Sequence, residues 1–193
     1  MQKFTKIDKK EQKKTEPKKK YTGKDFDIID YNDNDIIISK DKVVILPYIK
    51  DDGFILMKYE NIPTFHYKYK NTKGYKDVHN FLSVIKGNIE KTESPIQSIR
   101  RILTNECGLI LSHNYPITID KKLFKDEKNT SQYYIALIEL NYNDFKQGPL
   151  KISQNKTEEK VIKLNIGDID NIKTFDLVTD YLLLKLKFDY NIK

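Results

Sequence analysis

Residues 87 to 109, GNIEKTESPIQSIRRILTNECGL, decide the fold. Ser94 followed by Pro95 marks a helix start. A serine hydroxyl there accepts from an early helical N–H, and a proline at the first helical position lacks only an N–H that would have had no partner. Ile96, Ile99 and Leu103 then recur at helical spacing on one face. Gly108 stands where a left-handed residue ends a helix. The pattern predicts a helix over Ser94–Cys107, with Ile99 and Leu103 buried under a sheet.

Outward from this helix the chain supplies that sheet. Asp35–Ser39, Val43–Tyr48 and Phe54–Tyr59 are strand-like, and Asp51-Asp52-Gly53 is a turn of the Asp-Gly kind that closes hairpins. Residues 60–80 are polar with scattered aromatics, a long loop. Phe81–Ile85, Gln132–Leu140 and Lys160–Leu164 are further strands, and Thr174–Phe188 is a second helix with Phe175, Val178, Leu182 and Leu186 on its apolar stripe. Strands interleaved with helices in this order predict an α/β domain on a mixed sheet. A length of 193 residues suits one such domain with an appendage.

The opening stretch resembles the Nudix box, whose pattern is Gly, five residues, Glu, seven residues, then Arg-Glu-apolar-x-Glu-Glu-x-Gly-apolar. Gly87, Glu93, Arg101, Leu103, Glu106, Gly108 and Leu109 fall in register without insertion. The likeness extends weakly over Asp35 to Phe188. It implies a mixed sheet sandwiched between helices, and a pyrophosphohydrolase acting on nucleoside diphosphate derivatives with Mg or Mn. The departures fall on the chemistry. Where the family has a glutamate after the arginine, this chain has Ile102, and the first of the paired glutamates is Asn105. Positions 102, 105 and 106 are spaced i, i+3, i+4 and so share a helix face. Three carboxylates there would hold a divalent ion against a diphosphate and activate the attacking water. An isoleucine cannot ligate, and an asparagine oxygen brings no charge. The residual catalytic candidates are Glu93, Arg101 and Glu106. Glu106 and Glu93 remain as metal candidates, joined by Glu158 or Glu159 from a later loop, since Mg²⁺ often uses only one or two carboxylates plus substrate phosphates. For Glu93 and Arg101 the favoured reading is a structural ion pair that ties the loop to the helix.

The charge is uneven. Residues 1 to 20 hold nine lysines against three acids, a net +6 of the chain's +7. Residues 1–24 therefore read as a Lys-rich arm, disordered when free, and residues 25–193 as a nearly neutral domain. A domain that grips nucleic acid over its folded face usually carries its own basic patch. The arm is the better attachment device, through Lys9, Lys10, Lys13, Lys14, Lys18, Lys19 and Lys20. Arg100 and Arg101 are the chain's only arginines, and this bias toward lysine suggests an AT-rich genome rather than a chemistry. No apolar run approaches the ~20 residues that span a bilayer, and the Lys-rich start is not expected to be a secretory signal. A single cysteine, Cys107, excludes an internal disulfide, and between Glu106 and Gly108 it reads as a small packed residue. His66, His79 and His113 lack metal-ligand spacing, and Tyr67, Tyr69 and Tyr75 fit base stacking and an interface or loop-packing role about equally.

These features support a non-catalytic structural or interaction component of a larger assembly, such as a virion, with other proteins as partners and nucleic acid reached through the arm. The setting would be cytoplasmic or a particle assembled there, with no cofactor. The competing expectations are a hydrolase with atypical metal ligands and a nucleotide- or RNA-binding module that kept the pocket and lost the chemistry.

Overall fold

A computed structural model describes residues 16–23, 26–31, 33–60, 81–141, 145–147 and 161–189. Strands are β1 (Lys18–Thr22), β2 (Phe26–Tyr31), β3 (Asn34–Ser39), β4 (Lys42–Ile49), β5 (Phe54–Glu60), β6 (Phe81–Ser83), β7 (Ile85–Asn88), β8 (Leu109–Leu111), β9 (Lys121–Asp126), β10 (Asn129–Glu139), β11 (Phe145–Gln147) and β12 (Val161–Asn165). Helix α1 is Pro95–Cys107, and α2 is Leu177–Asp189.

The sheet is built around β4. Its run KVVILPYI is almost continuously apolar, as a strand covered on both faces should be, and Val43 to Ile49 are all buried. β10 runs parallel to it from Tyr133↔Lys42 to Glu139↔Tyr48. On the other side β7 pairs antiparallel with its first half, and β5 returns through the predicted turn to pair Tyr48↔Ile55 and Ile49↔Phe54. Gly53 adopts φ 65° in that turn, and its N–H donates to the Lys50 carbonyl. The single strand expected over Phe81–Ile85 is two. β6 belongs to β5, β7 to β4, and the chain changes partner at Val84, whose N–H donates to Thr179 Oγ1 on α2.

Alternation along β4 divides the core. Val43 and Ile45 pack with Ile99, Ile102 and Leu103 of α1, whereas Val44 and Leu46 pack with Leu182, Leu183 and Leu186 of α2. The mixed sheet therefore lies between two helices, as expected. Two details of the expected stripes change. Ile96, in the first turn of α1, is 40% exposed, and Ile102 takes its place in the core at 3%. Phe175 precedes α2 rather than lining it and stacks on Phe81 at 4.8 Å between ring centroids.

The arm also differs from expectation at its end. Lys18–Thr22 is not disordered: it forms β1, antiparallel to β2 in a three-stranded meander with β3. Lys19 pairs with Asp27 at 3.2 Å, and Lys20 with Asp30 at 3.2 Å and Asp35 at 2.6 Å. Cross-strand acids supply the counter-charge that the lysine run lacks locally. Lys9, Lys10, Lys13 and Lys14, the segment expected to be a loop with His66, His79, Tyr67, Tyr69 and Tyr75, and Glu158 and Glu159 lie outside the described residues.

Candidate functional site

β7 delivers the chain through Gly87 and Asn88 into a loop and then into α1. Local chemistry starts the helix where expected. Gln97 N donates to Ser94 Oγ at 3.3 Å, and Ser94 N donates to Gln97 Oε1 at 2.7 Å, a reciprocal capping box. Gly108 ends the helix at φ 66°. Gly87 is required by close approach: a Cβ there would lie 2.2 Å from Ile102 Cδ1 and 2.8 Å from its Cγ1.

Glu93 and Arg101 form a brace across the loop. Arg101 Nε donates to Glu93 Oε1 at 2.6 Å and Arg101 Nη2 to Oε2 at 2.8 Å, a bidentate pair. Ser98 Oγ donates to the same Oε2 at 2.7 Å, and Arg101 Nη2 reaches the Asn88 carbonyl at 2.9 Å. The Arg101 guanidinium, with help from Ser98, pulls the Glu93 carboxyl down to about 2. Both carboxylate oxygens are already engaged, so the structural ion pair is the geometry present.

The face expected to carry ligands is divided. Ile102 is in the core against Gly87, whereas Asn105 and Glu106 are exposed. Glu106 Oε2 lies 3.6 Å from Lys58 Nζ, and Lys58, from β5, is only 6% exposed. An ammonium thus stands beside the one carboxylate that this helix face retains. Lys58 was not anticipated, although a signal exists: in FILMKYE, Ile55 and Met57 face α2, so Leu56 and Lys58 point toward α1, where a lysine needs a partner. Cys107 is buried, and burial, reinforced by the Glu106 charge, pushes its thiol up to about 12, which suits packing and not nucleophilic attack. His113 is exposed beside Asn114.

A second polar cluster, also unanticipated, anchors α2. Asp176 accepts from Thr179 N at 2.9 Å, Thr179 Oγ1 at 2.7 Å and Lys86 Nζ at 2.9 Å. Burial opposes ionisation of Asp176, but the Lys86 charge and these donors outweigh it and hold the carboxyl below its ordinary range.

Solved structures share this fold. An ADP compounds hydrolase superposes with a TM-score of 0.58 at 14% identity, covering 91% of each chain. MutT, studied from Aliivibrio salmonicida and Vibrio cholerae, superposes with a TM-score of 0.53 at 16% identity, over 78% of this chain and 98% of its own. The chain has the Nudix fold. No protein-family model matches its sequence, and no curated protein matches it either.

A divalent ion needs carboxylate oxygens free to ligate it, even where substrate phosphates complete its shell. The described residues do not fit one. Ile102 is apolar and buried, Asn105 is neutral, Glu106 faces an ammonium and Glu93 is held by Arg101. Among the described residues no group of three or more His, Cys, Asp or Glu is placed to hold a metal. No described helix is long and apolar enough to cross a membrane.

Proposed function

We propose that this chain is a Nudix-fold binding or assembly component that does not carry out metal-dependent cleavage of nucleoside diphosphate derivatives. The observation that carries this is Lys58 beside Glu106. A resident ammonium stands 3.6 Å from Glu106, and Ile102 fills the core where the first of the three helix carboxylates of the motif would stand. Partners would be other proteins of an assembly, with nucleic acid reached by the lysines of residues 1–18, in the cytoplasm or in a particle assembled there. The intact frame, with Gly87, the Glu93–Arg101 brace and the Ser94 cap, favours a second reading. In it the chain is a hydrolase like its structural neighbours, taking Mg or Mn through Glu106 together with Glu158 or Glu159.

Turnover separates the two. Wild type incubated with Mg²⁺ or Mn²⁺ and a panel of dinucleotides and sugar nucleotides is expected to give no product above background. Clear turnover that disappears in Glu106→Gln would establish the hydrolase. A binding arm accompanies it. Lys58→Met with Asn105→Glu removes the ammonium and adds a carboxylate, so Mn²⁺ should bind this variant at least about tenfold more tightly than wild type, roughly the effect of one added charged ligand.

A further inference from the structure

The sheet opens where β3 passes into β4. β10 pairs with β3 at Asn129↔Ile37 and with β4 only from Tyr133↔Lys42 onward, so residues 130–132 pair with neither β3 nor β4. A cavity of about 460 Å³ occupies the opening, a size suited to a small molecule. Phe26 and Ile37 form its apolar wall, and Lys40, Lys42, Asn88 and Asn129 are among its polar lining. Lys42 and Asn88 are cross-strand partners, one residue along from Val43 and Gly87. They therefore face away from α1, and the cavity lies on the other side of the sheet from the Ile102 contact.

Asn129 is 5% exposed. Its Oδ1 accepts from Ser39 Oγ at 2.8 Å and from Ser131 N at 2.9 Å. The backbone donor decides which end of the amide is the oxygen. Nδ2, with two N–H groups, then has no acceptor among the described residues. The Asn88 side-chain amide likewise has no hydrogen-bond partner among them. No described buried side-chain polar atom is left without a partner, so these donors open onto the solvent of the cavity, where an acceptor from outside the chain can replace water. Lys40 and Lys42 line the cavity, and no acid is among its described lining residues, although Glu90 reaches Lys40 from outside at 2.9 Å.

We propose that this cavity binds a small organic oxyanion, a carboxylate or phosphate monoester, with its oxygens on Asn129 and Asn88 and its apolar part against Phe26 and Ile37. The site is independent of any hydrolysis at Glu106, and binding alone reads it out. The experiment titrates the ¹⁵N-labelled full chain with phenyl phosphate, benzoate, inorganic phosphate and benzyl alcohol, following the side-chain amide resonances of Asn129 and Asn88. A saturable shift with phenyl phosphate or benzoate is expected, and which of the two binds more tightly identifies the headgroup. Inorganic phosphate and the neutral alcohol should bind at least about tenfold more weakly. Asn129→Asp keeps the acceptor for Ser39 and Ser131 while replacing the donor with a charge that repels anions, and should weaken binding at least about tenfold. Asn88→Ala is the second variant, since it leaves that hydrogen-bonded junction intact, and should weaken binding in the same direction. Absence of any saturable shift with both organic anions would overturn the proposal. So would equal binding of the alcohol, or unchanged affinity in both variants.

Discussion

Gly87 and Ile102 show how one side chain can decide what a helix face does. The helix lies so close to β7 that the Ile102 side chain occupies the volume a Cβ on residue 87 would need. Gly87→Ala should therefore destabilise the fold by about 1–3 kcal/mol through overpacking. Ile102→Ala should cost about 2–5 kcal/mol alone, through the cavity it leaves. The double variant should be more stable than the sum of the two predicts, because each change relieves the other, and chemical denaturation of all four proteins measures that coupling. Additive losses would mean that the two residues do not touch. Glu93 makes a second prediction at this scale. Its folded pKa, about 2, lies below the ordinary 4.5. The stability it contributes is therefore fully present above about 4.5 and is lost as the pH falls toward 2. Wild type and Glu93→Gln should differ in unfolding free energy at neutral pH, and that difference should shrink across this acid window. A pH-independent gap would show that the Arg101 contact does not depend on the carboxylate charge.

Helix α1 is held at both ends by local chemistry and along its length by packing. The Ser94 capping box and the left-handed Gly108 are independent of the sheet, so their contributions should be small and separable. Ser94→Ala should cost about 1 kcal/mol, the usual loss for a serine cap. Gly108→Ala should cost about 1–2 kcal/mol, because an alanine pays for the left-handed conformation with a clash between Cβ and the following carbonyl. Thermal or denaturant melts of the single and double variants test both values and their additivity. Helix α2 depends on tertiary partners instead: Asp176 caps it while meeting Lys86 from β7, and Thr179 bonds across to Val84. For that reason its start at Leu177 follows from the packed sheet rather than from the run Thr174–Phe188 alone.

For the whole molecule, the meander β1–β3 changes what the basic arm can offer. Lys19 and Lys20 are ion-paired with Asp27, Asp30 and Asp35, and the Asp30 and Asp35 contacts raise the Lys20 pKa. Seven lysines and three acids remain in residues 1–18, a net +4. If the arm meets nucleic acid, affinity should fall with salt at a log–log slope of about −4, below the roughly −5 that all of residues 1–20 would give. A filter-binding series across salt, repeated on a chain lacking residues 1–15, measures it. Unchanged affinity and unchanged assembly after that deletion would remove the arm from any attachment role.

Local signals sufficed for the Nudix frame. A cap, a proline, a helical period and a terminal glycine depend on residues within a turn or two of one another, so Ser94 to Gly108 could be read directly, as could the Gly53 hairpin and the loss of carboxylates at Ile102 and Asn105. The β1 strand could not. A lysine run carries no apolar alternation, and only the acids of β2 and β3, brought opposite by antiparallel pairing, make it a strand. The pairing of Lys58 with Glu106, the burial of Ile102 in place of Ile96, and the cavity at Asn129 share that cause. Each joins residues far apart in the chain, and which side chains meet depends on strand register and on how closely the helix approaches the sheet.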